Sequence, residues 1–296
     1  MTPARPSPLF PGMAVLMFIL LCLIWGSTWL AIKIGLTDAP PLATAAIRFL
    51  VALFILTGLV VVRRRPYPRQ IRTIVRLGYP GVYMYGCSYA FVYLAEQHIS
   101  SALTAVLFGS FPFFVAFLSW VRYRAERLIP AAWVGLAVGL AGVVLISYDS
   151  LRVSGDLLLG TVLAVGGAFA AAYGVVIHKR YHAGRDIVVA AHIQMIFGGV
   201  LLILASLLFE NIGDFSPTLA TVGSIVYLAV IGTVVAFLAY YWLLARIRAV
   251  SLSLIAFVSP LVAILLGVVV AGETLSPVIV VGTLFILSGI ILVVRK

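Results

Sequence analysis

Acidic side chains are scarce in this chain: nine Asp and Glu in 296 residues against 20 Lys and Arg, with charged residues of either sign making up only 10% of the whole. Soluble domains carry about 25% charged residues, so a water-soluble globule is excluded. Cysteine is scarcer, with only two residues, Cys22 and Cys87, each inside an apolar stretch. Two isolated thiols make neither a disulfide framework nor a metal-ligand spacing, and they read as small buried apolar groups. The four histidines, His98, His178, His182 and His192, are scattered along the chain. An intramembrane enzyme would need a catalytic cluster at one depth, and a channel would need a filter or a pore-lining ring. Neither pattern is present, so an enzyme is not expected, nor any metal or cofactor.

Apolar sequence fills the space that charge leaves, at 64% of the residues. Ten segments, near residues 13–36, 41–62, 74–95, 101–121, 130–147, 157–178, 188–208, 220–244, 250–271 and 277–294, are continuous apolar runs. Each is long enough to cross a hydrocarbon core of about 30 Å as a helix, and none alternates as a membrane β-strand would. The first is too long for the apolar region of a signal peptide and meets no cleavage pattern, so it is expected to stay in the membrane. The fold class is therefore an all-α integral membrane protein of ten transmembrane helices.

Charge sets the expected orientation. Arg5, the arginines from Arg63 to Arg76, Arg122, Arg124, Arg127, Lys179, Arg180, Arg185, Arg246, Arg248, Arg295 and Lys296 place 17 of the 20 basic residues on one side. By the positive-inside rule that side is cytoplasmic, and so are both termini. Asp38, Glu96, Asp149, Asp156, Glu210, Asp214 and Glu273 collect on the other side. Nucleic acid would call for a basic patch on a soluble fold and is not an expected partner. Anionic lipid at the cytoplasmic face is, at about 1 kcal/mol per nearby basic residue.

The same pattern is written twice. Glu126, Leu128, Pro130, Gly135 and Gly142 recur as Glu273, Leu275, Pro277, Gly282 and Gly289, each shifted by 147 residues. Lys33 and Arg48 stand 15 apart, as do Lys179 and Gln194, and Pro112 has its counterpart in Pro260. The chain divides into units 1–148 and 149–296 of five spans each. An odd number of spans turns the second unit upside down relative to the first, the organisation of inverted-repeat carriers.

These residues also carry a family resemblance. The two five-span units, the Trp25-Gly26-Ser27-Thr28-Trp29 run, the Pro41 to Arg48 opening of the second span, and the Pro112–Glu126 and Pro260–Glu273 segments resemble the EamA-type families of the drug/metabolite transporter superfamily. The resemblance implies a ten-helix inverted-repeat fold around a central cavity, and export of small metabolites across the inner membrane, with amino acids a frequent substrate class. It implies that helices one, three, four, six, eight and nine line the cavity. Trp25, Tyr83, Phe108, Tyr173, Phe237 and Phe257 become the lining candidates.

Ionisable residues inside spans are costly and are functional candidates by default. Lys33 and Arg48 either meet a substrate carboxylate, in the geometry arginine favours, or are satisfied structurally. In the second case Lys33 snorkels to headgroups and Arg48 caps helix carbonyls or pairs with an external acid. His192, able to titrate near neutral pH, is the candidate proton site. No Asp or Glu is read as lying deep in a span, which favours a facilitative exporter of amino acids or related carboxylated compounds. Proton-coupled efflux of drugs or toxic compounds is the alternative. Tyr85, Tyr89 and Tyr93 share one helical face, as packing, interfacial belt or cavity wall. Pro112 and Pro260 interrupt helical hydrogen bonding and serve as hinges or as fixed bends. Gly135 and Gly139 have the spacing for close helix contact, read as packing within the chain; a monomer is plausible.

Overall fold

Backbone in lipid must satisfy its hydrogen bonds within its own segment, and long apolar runs therefore become helices. The computed structural model describes residues 10–123, 130–153, 155–181, 186–244 and 255–294, and among these no strand occurs. The helices are α1 (Phe10–Gly35), α2 (Pro41–Val62), α3 (Ile71–Gly81), α4 (Ser88–His98), α5 (Ser101–Phe108), α6 (Phe111–Tyr123), α7 (Pro130–Val153), α8 (Gly155–Tyr181), α9 (Ile187–Phe209), α10 (Leu219–Ala229), α11 (Ala236–Leu244), α12 (Ile255–Ala271) and α13 (Pro277–Val294). Wide π turns, Val82–Cys87 and Val230–Val235, join α3 to α4 and α10 to α11. They begin 148 residues apart. Among the described residues six spans are long and apolar enough to cross a bilayer, and shorter apolar helices cover Pro130–Ile146, Val258–Ala271 and Pro277–Gly289.

Many large apolar side chains lie on the outer surface: Phe54 is 81% exposed and Phe209 80% exposed. Water would penalise such a surface heavily, whereas a bilayer does not. Inside, Phe49, Tyr85, Tyr93, Met195, Leu202, Phe237 and Tyr241 belong to one buried cluster. A second forms around Leu103, Leu107, Val143, Ile146 and Ile286. The α3–α4 rod lies against α8 and α9, α2 against α9, α1 against α10 and α12, and α7 against α13. A Cβ on Gly289 would collide with the Gly135 carbonyl and the Gly139 backbone. The Gly135/Gly139 pair is thus used for α7–α13 packing within the chain.

Loop carboxylates pin the helices at one end of the bundle. Glu210, just after α9, accepts from the backbone N–H groups of Leu42 (2.7 Å) and Ala43 (2.8 Å) at the start of α2. Glu273, between α12 and α13, accepts from Ser101 N (2.9 Å), Ala102 N (3.0 Å) and the Ser101 hydroxyl (2.7 Å) at the start of α5. Each anion meets the positive end of another helix, with donors that have no partner of their own. Replacing Glu210 with alanine removes both bonds and is expected to cost about 1–3 kcal/mol, measured as a lower thermal midpoint in detergent. An unchanged midpoint would show that the cap does not support the fold. At the opposite end Arg65 pairs with Asp186 at 2.7 Å, and Asp186 in turn caps α9 through Val188 N and Val189 N.

The two prolines sit differently. The chain breaks at residues 109–110, so Pro112 is the second residue of α6, where its missing N–H is no loss. Pro260 lies inside the continuous helix α12.

Candidate substrate site

Arg48, in the second turn of α2, is 1% exposed. Its Nε donates to Thr233 Oγ1 at 2.9 Å, one terminal nitrogen to Tyr93 Oη at 3.4 Å and the other to the Gly232 carbonyl at 3.5 Å. The guanidinium lies 4.7 Å from the centre of the Tyr89 ring and 5.6 Å from that of Phe49. The π turn at Val230–Val235 presents two of these partners, and the Thr233 hydroxyl itself donates to Leu228 O, five residues back, at 2.8 Å. Every acceptor is neutral, and no carboxylate is within ion-pair distance among the described residues. A guanidinium has five N–H donors; three are used in these bonds, the Tyr89 hydroxyl also interacts with it, and its charge meets no carboxylate in direct contact.

An aromatic cluster continues from the cation. Phe49 meets Tyr85 edge-on at 5.7 Å, and Tyr85 meets Phe237 at 4.9 Å. Trp25 contacts Phe237 at 5.7 Å and Tyr240 at 5.3 Å. The Tyr85 and Tyr241 hydroxyls are 3.2 Å apart and share a hydrogen bond. Tyr241 stacks on His178, whose Nδ1 is 2.7 Å from Gln194 Nε2. Arg48 from one half and Gln194, its sequence counterpart, from the other therefore bracket one set of rings.

The other candidate residues fall outside that cluster. Phe108 packs on Trp29 at 5.2 Å and stacks parallel to Phe111. Tyr83 meets Tyr173 at 4.7 Å, with its hydroxyl 3.2 Å from that of Tyr79. Lys33 donates to the carbonyls of Glu96 and Ile99, closing the C-terminus of α4. His192 stands at the arginine-bearing end, with Nε2 3.0 Å from Thr57 Oγ1 and Nδ1 3.2 Å from Tyr67 Oη. The Phe257 side chain lies outside the described residues. Sequence reasoning did not single out Thr233 or His178 for this place. A lone Thr in an apolar helix carries no pattern, and His178 reads as a boundary residue.

Glu96 corrects an expectation. Read from the sequence as an acid at the far surface, it is fully buried in α4, and neither carboxyl oxygen has a hydrogen-bond partner. Trp29 Nε1 in α1 is also buried without a partner. A buried carboxyl is therefore present near the C-terminal end of α4.

An open cavity of about 450 Å³ lies at the arginine-bearing end, lined by Ile71, Arg72, Val75, Arg76 and Tyr79. Its mixture of apolar and guanidinium groups differs from the ring cluster around Arg48.

Comparison with known proteins brings these features together. The EamA-like transporter family matches the chain twice, over residues 12–148 and 158–295. The inner membrane transporter YedA of Escherichia coli K12 is 31% identical over 259 residues, which is 87% of this chain and 83% of YedA. A probable amino-acid metabolite efflux pump of Salmonella typhimurium is 26% identical across 92% of this chain and 91% of its own. One solved crystal structure superposes over 95% of this chain and 97% of its own with a TM-score of 0.68 at 20% identity, a likeness of fold.

Proposed function

The chain belongs to the EamA-like transporter family, so it is a multi-pass membrane transporter rather than an enzyme, and from there we propose that it exports amino acids or related carboxylated metabolites across the inner membrane. Arg48 is the observation that carries this substrate class: a buried guanidinium held only by neutral partners, with no carboxylate in direct contact, is suited to take a carboxylate in two parallel bonds. The rings of Trp25, Phe237, Tyr85 and Tyr241 beside it suit an apolar or aromatic side chain. The name of the Salmonella relative points the same way. Phe108, Tyr83 and Tyr173 line the path to this site, and Lys33 frames its outer end.

The carrier has ten spans in two inverted units, 1–148 and 149–296. Support comes from the two family matches and from the π turns that begin 148 residues apart. The arginine-bearing end, with both termini, faces the cytoplasm, where the cavity between Arg72 and Arg76 seats an anionic lipid headgroup. The halves rock about the break before Pro112 and the bend at Pro260, driven by the substrate's own gradient. A single chain contains the whole site.

Counterflow into proteoliposomes loaded with mixed amino acids and nucleosides, at equal pH on both sides, tests this. Exchange of labelled amino acids is expected. If only a cationic drug moves, and only with a pH gradient, the amino-acid proposal falls and proton-coupled efflux through His192 replaces it.

A further inference from the structure

We propose that Glu96 is a proton-binding site, and that its proton holds the acid-bearing end of the bundle closed. Both carboxyl oxygens are out of reach of water and of any donor. An ionised carboxylate in that position has lost its hydration with no hydrogen bond in exchange, a cost of several kcal/mol. A protonated carboxyl carries no charge and avoids it. Because neither oxygen borders open space, a proton fits where a larger cation does not.

The neighbours explain why the charge is only partly compensated. From α1, Lys33 approaches, but it donates to the backbone carbonyls of Glu96 and Ile99 and not to the carboxyl. From α2, Arg48 is held by Thr233, Tyr93 and Gly232. The positive charges of Lys33 and Arg48 act on the carboxyl through space and only partly offset its burial, while from the loop before α13 Glu273 brings a second acid into the same field, and it already holds the three donors at the start of α5. Two carboxylates at close quarters do not both ionise cheaply. On Glu96's own helix, Tyr93 is the phenol bonded to Arg48, and His98 turns to Asp156 of α8 at 3.8 Å. Of the two acids, the one without donors keeps the proton.

The position gives the proton its effect. Lys33 ties α1 to α4, and Arg48 ties α2 to α4 and to the second π turn, so Glu96 lies along α4 where these two ties meet it. When they part, water reaches the carboxyl, the O–H bond breaks, the proton passes to water and Glu96 becomes charged. The closed form thus binds one more proton than the open form, and acid on that side favours closure by linkage. The direction of this effect on export rests on the carrier proposal above, with the acid-bearing end facing outward; the protonation does not.

Infrared difference spectra of the full chain in lipid nanodiscs, wild type against Glu96→Gln at neutral pH, test the proton directly. The wild type is expected to show a protonated-carboxyl carbonyl band that the glutamine protein lacks; identical spectra overturn the proposal with the carrier function intact. Counterflow against external pH tests the closure. The wild-type rate is expected to fall as the outside is acidified, by at most about tenfold per pH unit for one proton, and the Glu96→Gln rate to be flat. A shared pH profile overturns the closure role, and absence of exchange at every pH overturns it together with the carrier function.

Discussion

Replacing Arg48 with alanine is expected to cut counterflow of a carboxylated substrate by roughly tenfold to a hundredfold, the equivalent of about 1.5–3 kcal/mol for a lost charge-assisted pair. The truncation removes the only hydrogen-bond partner of the Tyr93 hydroxyl among the described residues, whereas Thr233 keeps its bond to the Leu228 carbonyl. Some loss of folded protein therefore accompanies the loss of transport, and Arg48→Lys separates the two. Lysine keeps the charge and much of the packing but lacks the planar fork. It is expected to leave the thermal midpoint near that of the wild type while exchange stays severely reduced. Wild-type counterflow by the alanine protein would remove Arg48 from substrate binding.

The second large effect is expected at Gly81, the last residue of α3. A Cβ there would fall on the backbone of Gln194 in α9. Backbone cannot rotate aside as a flexible side chain does, so Gly81→Val must push α3 and α9 apart where Gln194 also holds His178 of α8. Overpacking of this kind costs about 1–3 kcal/mol, and more where nothing yields. The variant is expected to give little folded protein by gel filtration and a sharply lower thermal midpoint. Gly58→Val is the control: a Cβ at Gly58 meets nothing within 4 Å, and this protein is expected to behave like the wild type. Equal behaviour of the two valine variants would mean that the α3–α9 contact does not limit stability.

What was legible beforehand was what neighbouring residues encode. Pro41 and Pro277 mark the starts of α2 and α13 because proline's missing N–H and fixed φ suit a first turn, and those spans begin where expected. Glycines four apart in sequence promised close helix contact, and Gly289 supplies the partner. What depends on distant helices was not legible. Glu96 stands beside Gln97 and His98 and reads as part of a polar boundary; only the helices around α4 bury it. The Tyr85, Tyr89, Tyr93 face was visible, but not that it meets Arg48 and Phe49. Lys33 and Arg48 had open alternatives, and the structure gives each a backbone carbonyl and neither an acid. The fourth apolar run reads as one helix, yet it breaks at residues 109–110, where Gly and Ser permit a turn but do not require one.

The paired π turns make the length of two helices a matter of rotation. A π turn accommodates one residue more than regular helix would over the same rise, and each residue of an α-helix advances the chain by about 100° around its axis. Deleting a single residue from Val82–Cys87 would let α3 and α4 run on as one uninterrupted helix. The faces beyond it would stay as they are. Winding the same residues as regular helix with none removed would instead swing everything beyond by about a quarter turn: Tyr89 and Tyr93 would leave the guanidinium, and Glu96 would move from the interior toward another face. The wide turn thus acts as an angular shim, setting which side of α4 looks inward, and its partner in Val230–Val235 does the same for Phe237 and Tyr241 on α11.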